Sequence, residues 1–100
     1  MKKVTIKYTK KAKEDLEEMS EYYSPKSKQR KIIADRIESL KKQPLRGRPV
    51  PELEDEYIRQ VGADNYRIIY HVAAEYLLMI LRILSFKKPF NPDEDLDFDN

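Results

Sequence analysis

The stretch Tyr66–Ser85, YRIIYHVAAEYLLMILRILS, decides the fold. In its first half residues alternate between two faces of a strand, and one face is wholly apolar or aromatic. That face comprises Tyr66, Ile68, Tyr70 and Val72, whereas the opposite face carries Arg67 and His71. The second half is apolar at both parities, which is typical of a strand that is central in a sheet or covered on both faces. The stretch therefore predicts a hairpin of two antiparallel strands, Tyr66–Val72 and Tyr76–Ser85.

Two further strands and two amphipathic helices are predicted upstream of this hairpin. Lys3–Thr9 and Glu56–Val61 are strand-like, and Gly62–Asn65 is a turn that would join the second of these to Tyr66. The first helix begins at Lys10 with Thr9 as its N-cap, and the second begins with Ser24 as N-cap and Pro25 at its first position. The residues expected to face the core are Ala12, Leu16, Met19, Ile32, Ile33, Ile37 and Leu40. The acidic residues of the first helix, Glu14, Asp15, Glu17, Glu18 and Glu21, are expected to remain in water.

The resulting order, β-α-α-β-β-β, predicts an α+β fold in which a helical hairpin packs on one face of a small, mostly antiparallel sheet. Residues 1–90 form the single domain. Residues 91–100 form an acidic tail for which two states are open, a flexible end or a segment that folds over the basic face and shields it. The loop Gln43–Glu52, which holds three prolines, is expected to lack regular structure.

Composition excludes several classes of protein. The chain has 100 residues with no cysteine and one histidine, so disulfide frameworks, thiol nucleophiles and multi-histidine zinc sites are excluded. No metal, cofactor or small-molecule ligand is predicted, because no glycine-rich phosphate loop or calcium-loop pattern is present. The longest apolar run, Tyr76–Leu81, is too short to cross a bilayer, so we expect a soluble cytoplasmic protein.

The distribution of charge points to a polyanionic partner. Residues 1–88 hold all 20 Lys and Arg but 13 of the 18 Asp and Glu, a net charge of +7, and residues 89–100 hold five acids and no base. If the helices cover one face of the sheet, the other face and the proline loop remain as a working surface. The basic residues expected there are Arg46, Arg48, Arg59, Arg67, His71, Arg82, Lys87 and Lys88. Guanidinium groups bind phosphate oxygens bidentately, although such charges also serve as ordinary solvated surface.

Three segments together give the sequence a recognisable pattern. They are Pro44-x-x-Gly47-Arg48-Pro49-Val50-Pro51-Glu52-Leu53, then Ile58-Arg59, then Asn65-Tyr66-Arg67-Ile68-Ile69-Tyr70. From about Lys3 to Phe90 the chain resembles the RelE/ParE toxin superfamily. The resemblance implies the toxin of a type II toxin–antitoxin module, neutralised by a cognate antitoxin whose C-terminal segment wraps the toxin.

The superfamily divides by target, and we predict the RelE-like activity, ribosome-dependent cleavage of messenger RNA, with the ParE-like activity or an inactive relative as the alternatives. RelE-like members cut messenger RNA on the ribosome without a metal; here Arg67, Arg59 and Lys88 would be catalytic. The residues that would bind RNA or another target are Arg46, Arg48, Arg82, Lys87 and His71. ParE-like members inhibit DNA gyrase without catalysis, and an inactive relative would bind only antitoxin or RNA. No Tyr or His follows Phe86, where nuclease members often have one, and the ending Ser85–Phe90 looks like that of ParE.

Overall fold

The structure is a computed structural model that describes residues 3–21 and 27–96. The elements are β1 (Thr5–Tyr8), α1 (Lys10–Ser20), α2 (Lys28–Ser39), β2 (Arg48–Pro49), β3 (Ile58–Ala63), β4 (Tyr66–Ala74), β5 (Leu77–Ser85) and α3 (Pro92–Asp95). The α+β fold and the β-α-α-β-β-β order are confirmed, with the short β2 and α3 as additions to it.

The five strands form one mixed sheet in the order β1-β5-β4-β3-β2. β1 runs parallel to β5, and the other neighbours are antiparallel. The expectation that the proline loop has no regular structure is wrong for two residues, since Arg48 pairs with Gln60 and Pro49 with Arg59. Proline is tolerated here because β2 is the outermost strand, where no N–H is needed for a further neighbour.

The helices cover the face of the sheet that the alternation predicted. Ile68 and Tyr70 of β4 are fully buried against α1 and α2. The other buried members of this core are Ala12, Met19, Ile33, Ile37, Leu40, Ala63, Leu78, Ile80 and Ile83. The face assignment of β4 is thereby confirmed on its apolar side.

The first helix starts as predicted and the second does not. Thr9 caps α1, because its Oγ1 accepts a hydrogen bond from the Ala12 N–H at 3.1 Å and donates to the Leu81 carbonyl at 2.9 Å. Helix α2 is capped by Ser27, whose Oγ accepts from the Arg30 N–H at 3.2 Å. The predicted cap at Ser24-Pro25 lies outside the described residues.

The second face of the sheet is covered, whereas the sequence suggested an open surface. Val50, Ile58, Ile69, Leu81 and Leu84 form a second, smaller buried core on this face. Around it pack Leu53 and Met79, together with Phe90 and Leu96. The segment Phe90–Leu96, called the strap below, therefore lies against the sheet, and residues 91–96 do not behave as a detached tail. Within the described ranges no helix is long and apolar enough to cross a membrane.

Candidate functional site

A basic groove lies between the proline loop and the end of the β3–β4 hairpin. It encloses about 370 Å³ and brings together Arg46, Arg48 and Arg67. The remaining lining residues are Gly47, Gln60, Val61, Gly62 and Phe86. Arg46 and Arg48 are exposed, whereas Arg67 is mostly buried, so the groove has one fixed cation at its base and two accessible ones at its rim.

Arg67 is held between aromatic rings and amide oxygen rather than by a close ion pair. Its Nη1 donates to Gln60 Oε1 at 3.1 Å and lies 3.9 Å from Glu52 Oε2. Its Cζ lies 5.0 Å from the Phe90 ring centre and 5.9 Å from that of Phe86, distances at which a cation is attracted to the ring face. The side chain is 14% exposed, and its buried Nε has no hydrogen-bond partner among the described residues. A buried donor without a partner is costly, which makes Arg67 a candidate ligand-binding group.

The loop that carries Arg46 and Arg48 is braced from the sheet at Gly47. The Tyr70 hydroxyl donates to the Pro44 carbonyl at 2.7 Å and accepts from the Gly47 N–H at 3.0 Å. A Cβ on Gly47 would lie 2.5 Å from the Gln60 carbonyl oxygen, so only glycine fits this close approach. Burial raises the pKa of Tyr70 above its ordinary value, and the phenol therefore stays protonated and able to donate. The sequence marked Tyr70 as core, but nothing in it showed that its hydroxyl anchors the loop.

Arg59 does not join Arg67, and the expectation that it would is wrong. Arg59 pairs with Tyr70 across β3 and β4, which places it on the helix side of the sheet, whereas Arg67 is on the second face. Its Nη1 donates to the Gly47 carbonyl at 2.8 Å, so it forms a second brace of the loop. Its observed contact is structural.

Arg82 is also placed differently from the sequence expectation, because it is bound by two carboxylates. Its Nε and Nη2 donate to Asp15 at 2.8 and 2.9 Å, and its Nη1 donates to Asp95 Oδ1 at 3.2 Å. The hydrogen bond with Asp15 is the main reason that the pKa of Arg82 is raised. Asp15, expected in water, is 8% exposed and also accepts from the Ile83 N–H at 2.9 Å. Asp15 thereby satisfies the edge of β5 beyond the point where β1 ends.

The remaining candidates lie away from the basic groove. Lys88 Nζ is 3.7 Å from Glu18 Oε1 of α1, and Lys87 is exposed. His71 pairs with Ile58 and Met79 near the far end of β4, about 13 Å from Arg67 at roughly 3.3 Å per residue. The structure therefore gathers Arg46, Arg48 and Arg67, and leaves Arg59, His71, Arg82, Lys87 and Lys88 elsewhere. Over the described ranges, no cluster of three or more His, Asp or Glu could hold a metal ion.

The chain is similar to known toxins in both sequence pattern and structure. The family pattern described as the ParE toxin of the type II toxin–antitoxin system parDE matches residues 6–89. The chromosomal ParDE system from P. aeruginosa contains a chain that is 21% identical, with a TM-score of 0.60 over 82% of this chain and 95% of that one. The toxin–antitoxin complex RelBE2 from Mycobacterium tuberculosis contains one that is 26% identical, with a TM-score of 0.59 over 84% of this chain and 99% of that one. No curated protein sequence is significantly similar to this chain.

Proposed function

Since the chain belongs to the ParE toxin family of type II toxin–antitoxin systems, we propose that it inhibits DNA gyrase by binding it and does not cleave RNA. A cognate antitoxin neutralises it, and both act in the cytoplasm. The solved neighbours are toxin–antitoxin systems, which supports an antitoxin partner. The net charge of +7 on residues 1–88 suits an acidic partner surface.

The surroundings of Arg67 carry this proposal. Cleavage of RNA through its own 2′-hydroxyl needs one group that removes the hydroxyl proton and another that protonates the leaving oxygen. The described contacts of Arg67 are Gln60, Glu52, Phe86 and Phe90, and of these only the Glu52 carboxylate can take up or release a proton. The cations of a catalytic set do not converge on Arg67 either. Arg67, which lies between aromatic rings and beside two exposed arginines, is suited to binding, and its one carboxylate neighbour supplies at most one of the two proton-transfer groups.

A second candidate function is supported by Arg67 itself. Its buried Nε lacks a hydrogen-bond partner in the part of the chain that the structure describes, and Arg46 and Arg48 line the same groove, which suits the groove to binding phosphate. Ribosome-dependent cleavage of messenger RNA is therefore the alternative, with Arg67 stabilising the phosphate. Its chemistry would depend on proton-transfer groups that the ribosome supplies.

One pair of assays on the purified chain separates the two candidates. The first follows supercoiling of relaxed plasmid by gyrase, and the second maps message ends by primer extension in a cell-free translation reaction. Arg67→Ala removes the groove cation, and Arg36→Ala is the matched control because it removes the same charge from α2 on the other side of the sheet. We expect supercoiling to be inhibited and messages to remain intact. Ribosome-dependent cuts that vanish in Arg67→Ala but persist in Arg36→Ala would replace the proposal with the alternative.

A further inference from the structure

The strap, Phe90–Leu96, begins directly after the segment that the family pattern describes, which ends at residue 89. The family pattern therefore gives it no role. What the strap contributes must be sought in what it covers.

Two apolar anchors fix the strap to the second face of the sheet. Phe90 and Leu96, at its two ends, pack against the buried cluster that contains Ile69, Leu81 and Leu84. The Phe90 ring also lies over the Arg67 guanidinium, 5.0 Å from Cζ. The strap thus covers the sheet face from which Arg67 projects and one side of the guanidinium itself.

Polar contacts hold the segment between the anchors, and most of them use Asp95. Arg82 Nη1 donates to the carbonyl oxygen and to Oδ1 of Asp95, at 3.0 and 3.2 Å. The Asn91 N–H donates to Asp95 Oδ2 at 2.7 Å, which closes the short turn of α3. Lys11 Nζ of α1 donates to the Glu94 carbonyl at 2.6 Å. Asp95 is therefore the latch residue, and it is more exposed than Asp15, the other partner of Arg82, with side chains 24% and 9% exposed.

We propose that the strap is an intramolecular cover that competes with the toxin's protein target for the second sheet face. Closed, it covers one side of Arg67 and the surrounding apolar residues; open, it exposes a larger basic and apolar surface suited to an acidic partner surface. The strap reproduces the chemistry of such a partner, because it presents two apolar anchors and the carboxylate of Asp95 to this face. This inhibition by the strap rests on the proposed function, because it requires that the target protein bind the second face of the sheet.

The contacts that hold the strap closed are few, so opening of the strap requires little free energy. The anchors are two side chains, and the latch pair is partly exposed, where ion pairs are screened by solvent and salt. The core beneath, in contrast, is held by five fully or nearly fully buried residues of the sheet and loop. The strap can therefore detach while the toxin fold remains.

Charge-matched variants test the proposal. Asp95→Asn removes the latch charge, and Asp93→Asn removes an equal charge from an exposed position outside the latch. Leu96→Ala removes one apolar anchor and leaves the charge of the strap unchanged. Amide hydrogen exchange measures opening of the strap, thermal unfolding checks the fold, and growth of bacteria after induction at equal protein level measures toxicity. We expect Asp95→Asn and Leu96→Ala to raise strap exchange and toxicity by about three- to tenfold, and Asp93→Asn to match the unmodified protein.

The outcomes separate this proposal from the choice of target. Greater toxicity of the two released variants with unaffected gyrase supports the strap and refutes the proposed target. Inhibition of gyrase that is equally potent in all four proteins, with equal toxicity, supports the target and overturns the strap. If hydrogen exchange shows that the strap has opened in Asp95→Asn and Leu96→Ala but toxicity is equal in all four proteins, the proposal that the strap is a cover is overturned. It is also overturned if none of the four proteins is toxic.

Discussion

Replacing Asp15 by alanine should destabilise the toxin more than any other change to a charged residue of α1. Asp15 is 8% exposed, and its carboxylate accepts three hydrogen bonds, two from Arg82 and one from the Ile83 N–H. Removing one partner of a buried ion pair costs about 3–5 kcal/mol. The lower end applies here, because Arg82 keeps its contact with Asp95. At about 2.1 cal/mol/K of unfolding entropy per residue, a loss of about 3 kcal/mol lowers the melting temperature by about 14 °C.

Urea unfolding followed by circular dichroism measures this loss by linear extrapolation. Glu18→Ala is the matched control, since Glu18 lies on the same helix, 56% exposed and 3.7 Å from Lys88, where a surface pair is worth about 0–1 kcal/mol. Asp15→Asn keeps an acceptor for the Ile83 N–H and should fall between the two, which gives a measurement even if Asp15→Ala does not fold. An Asp15→Ala loss below about 1 kcal/mol, or one equal to that of Glu18→Ala, would refute the assignment of Asp15 as a buried brace.

Three further changes have expected outcomes. Gly47→Ala should lower the free energy of unfolding in urea by about 1–3 kcal/mol, because its Cβ would lie 2.5 Å from the Gln60 carbonyl oxygen. Gly62→Ala is the control and should be close to neutral, since nothing lies nearer than 3.9 Å to the Cβ it would add. Equal effects of the two changes would contradict the close approach at Gly47. Tyr70→Phe should cost about 1–2 kcal/mol at neutral pH through its two lost hydrogen bonds. Because the folded pKa of Tyr70 is raised, its phenol stabilises the fold below the unfolded pKa of about 10 and loses this effect as pH rises through the folded value, so stability of Tyr70→Phe should fall less steeply above pH 10; parallel curves would contradict this. Thr9→Ala should cost about 1–2 kcal/mol through loss of the helix cap and of the bond to the Leu81 carbonyl, and a loss below about 0.5 kcal/mol would contradict that double role.

The spacing of apolar residues in the sequence predicted those features of the fold that depend on a single strand or helix. The alternation in β4 placed Ile68 and Tyr70 against the helices, and Thr9 was recognised as a cap from its type and position. These signals are local, because a side chain's face follows from its own position in the element. Helix α2 is capped by Ser27, and the same local rule also favoured Ser24, which lies outside the described residues.

The candidate site depended on relations that no single element displays. Arg59 and Arg67 fall on opposite faces because the two-residue turn pairs odd positions of β3 with even positions of β4. Any turn with an even number of residues between the two strands imposes this parity. The pairing of β4 with β5 has an irregularity directly before Arg82, since Ile69 pairs with Arg82 whereas Tyr70 pairs with Ile80. The partner of Arg82, Asp15, lies far away in sequence, on a face of α1 that polarity alone assigns to water.

The pairing of the first and last strands also governs when this toxin becomes complete. Among the strands of the described residues β1 pairs with β5 alone, and the paired residues Leu77–Ile80 are made about 70 residues later. At a synthesis rate of about 5–20 residues per second, the amino-terminal strand waits several seconds for its partner. Thr9, the cap of the first helix, likewise needs the Leu81 carbonyl for its second bond. A nascent or truncated chain that stops before β5 therefore cannot complete the sheet, and the toxin reaches its folded state only after β5 has been synthesised.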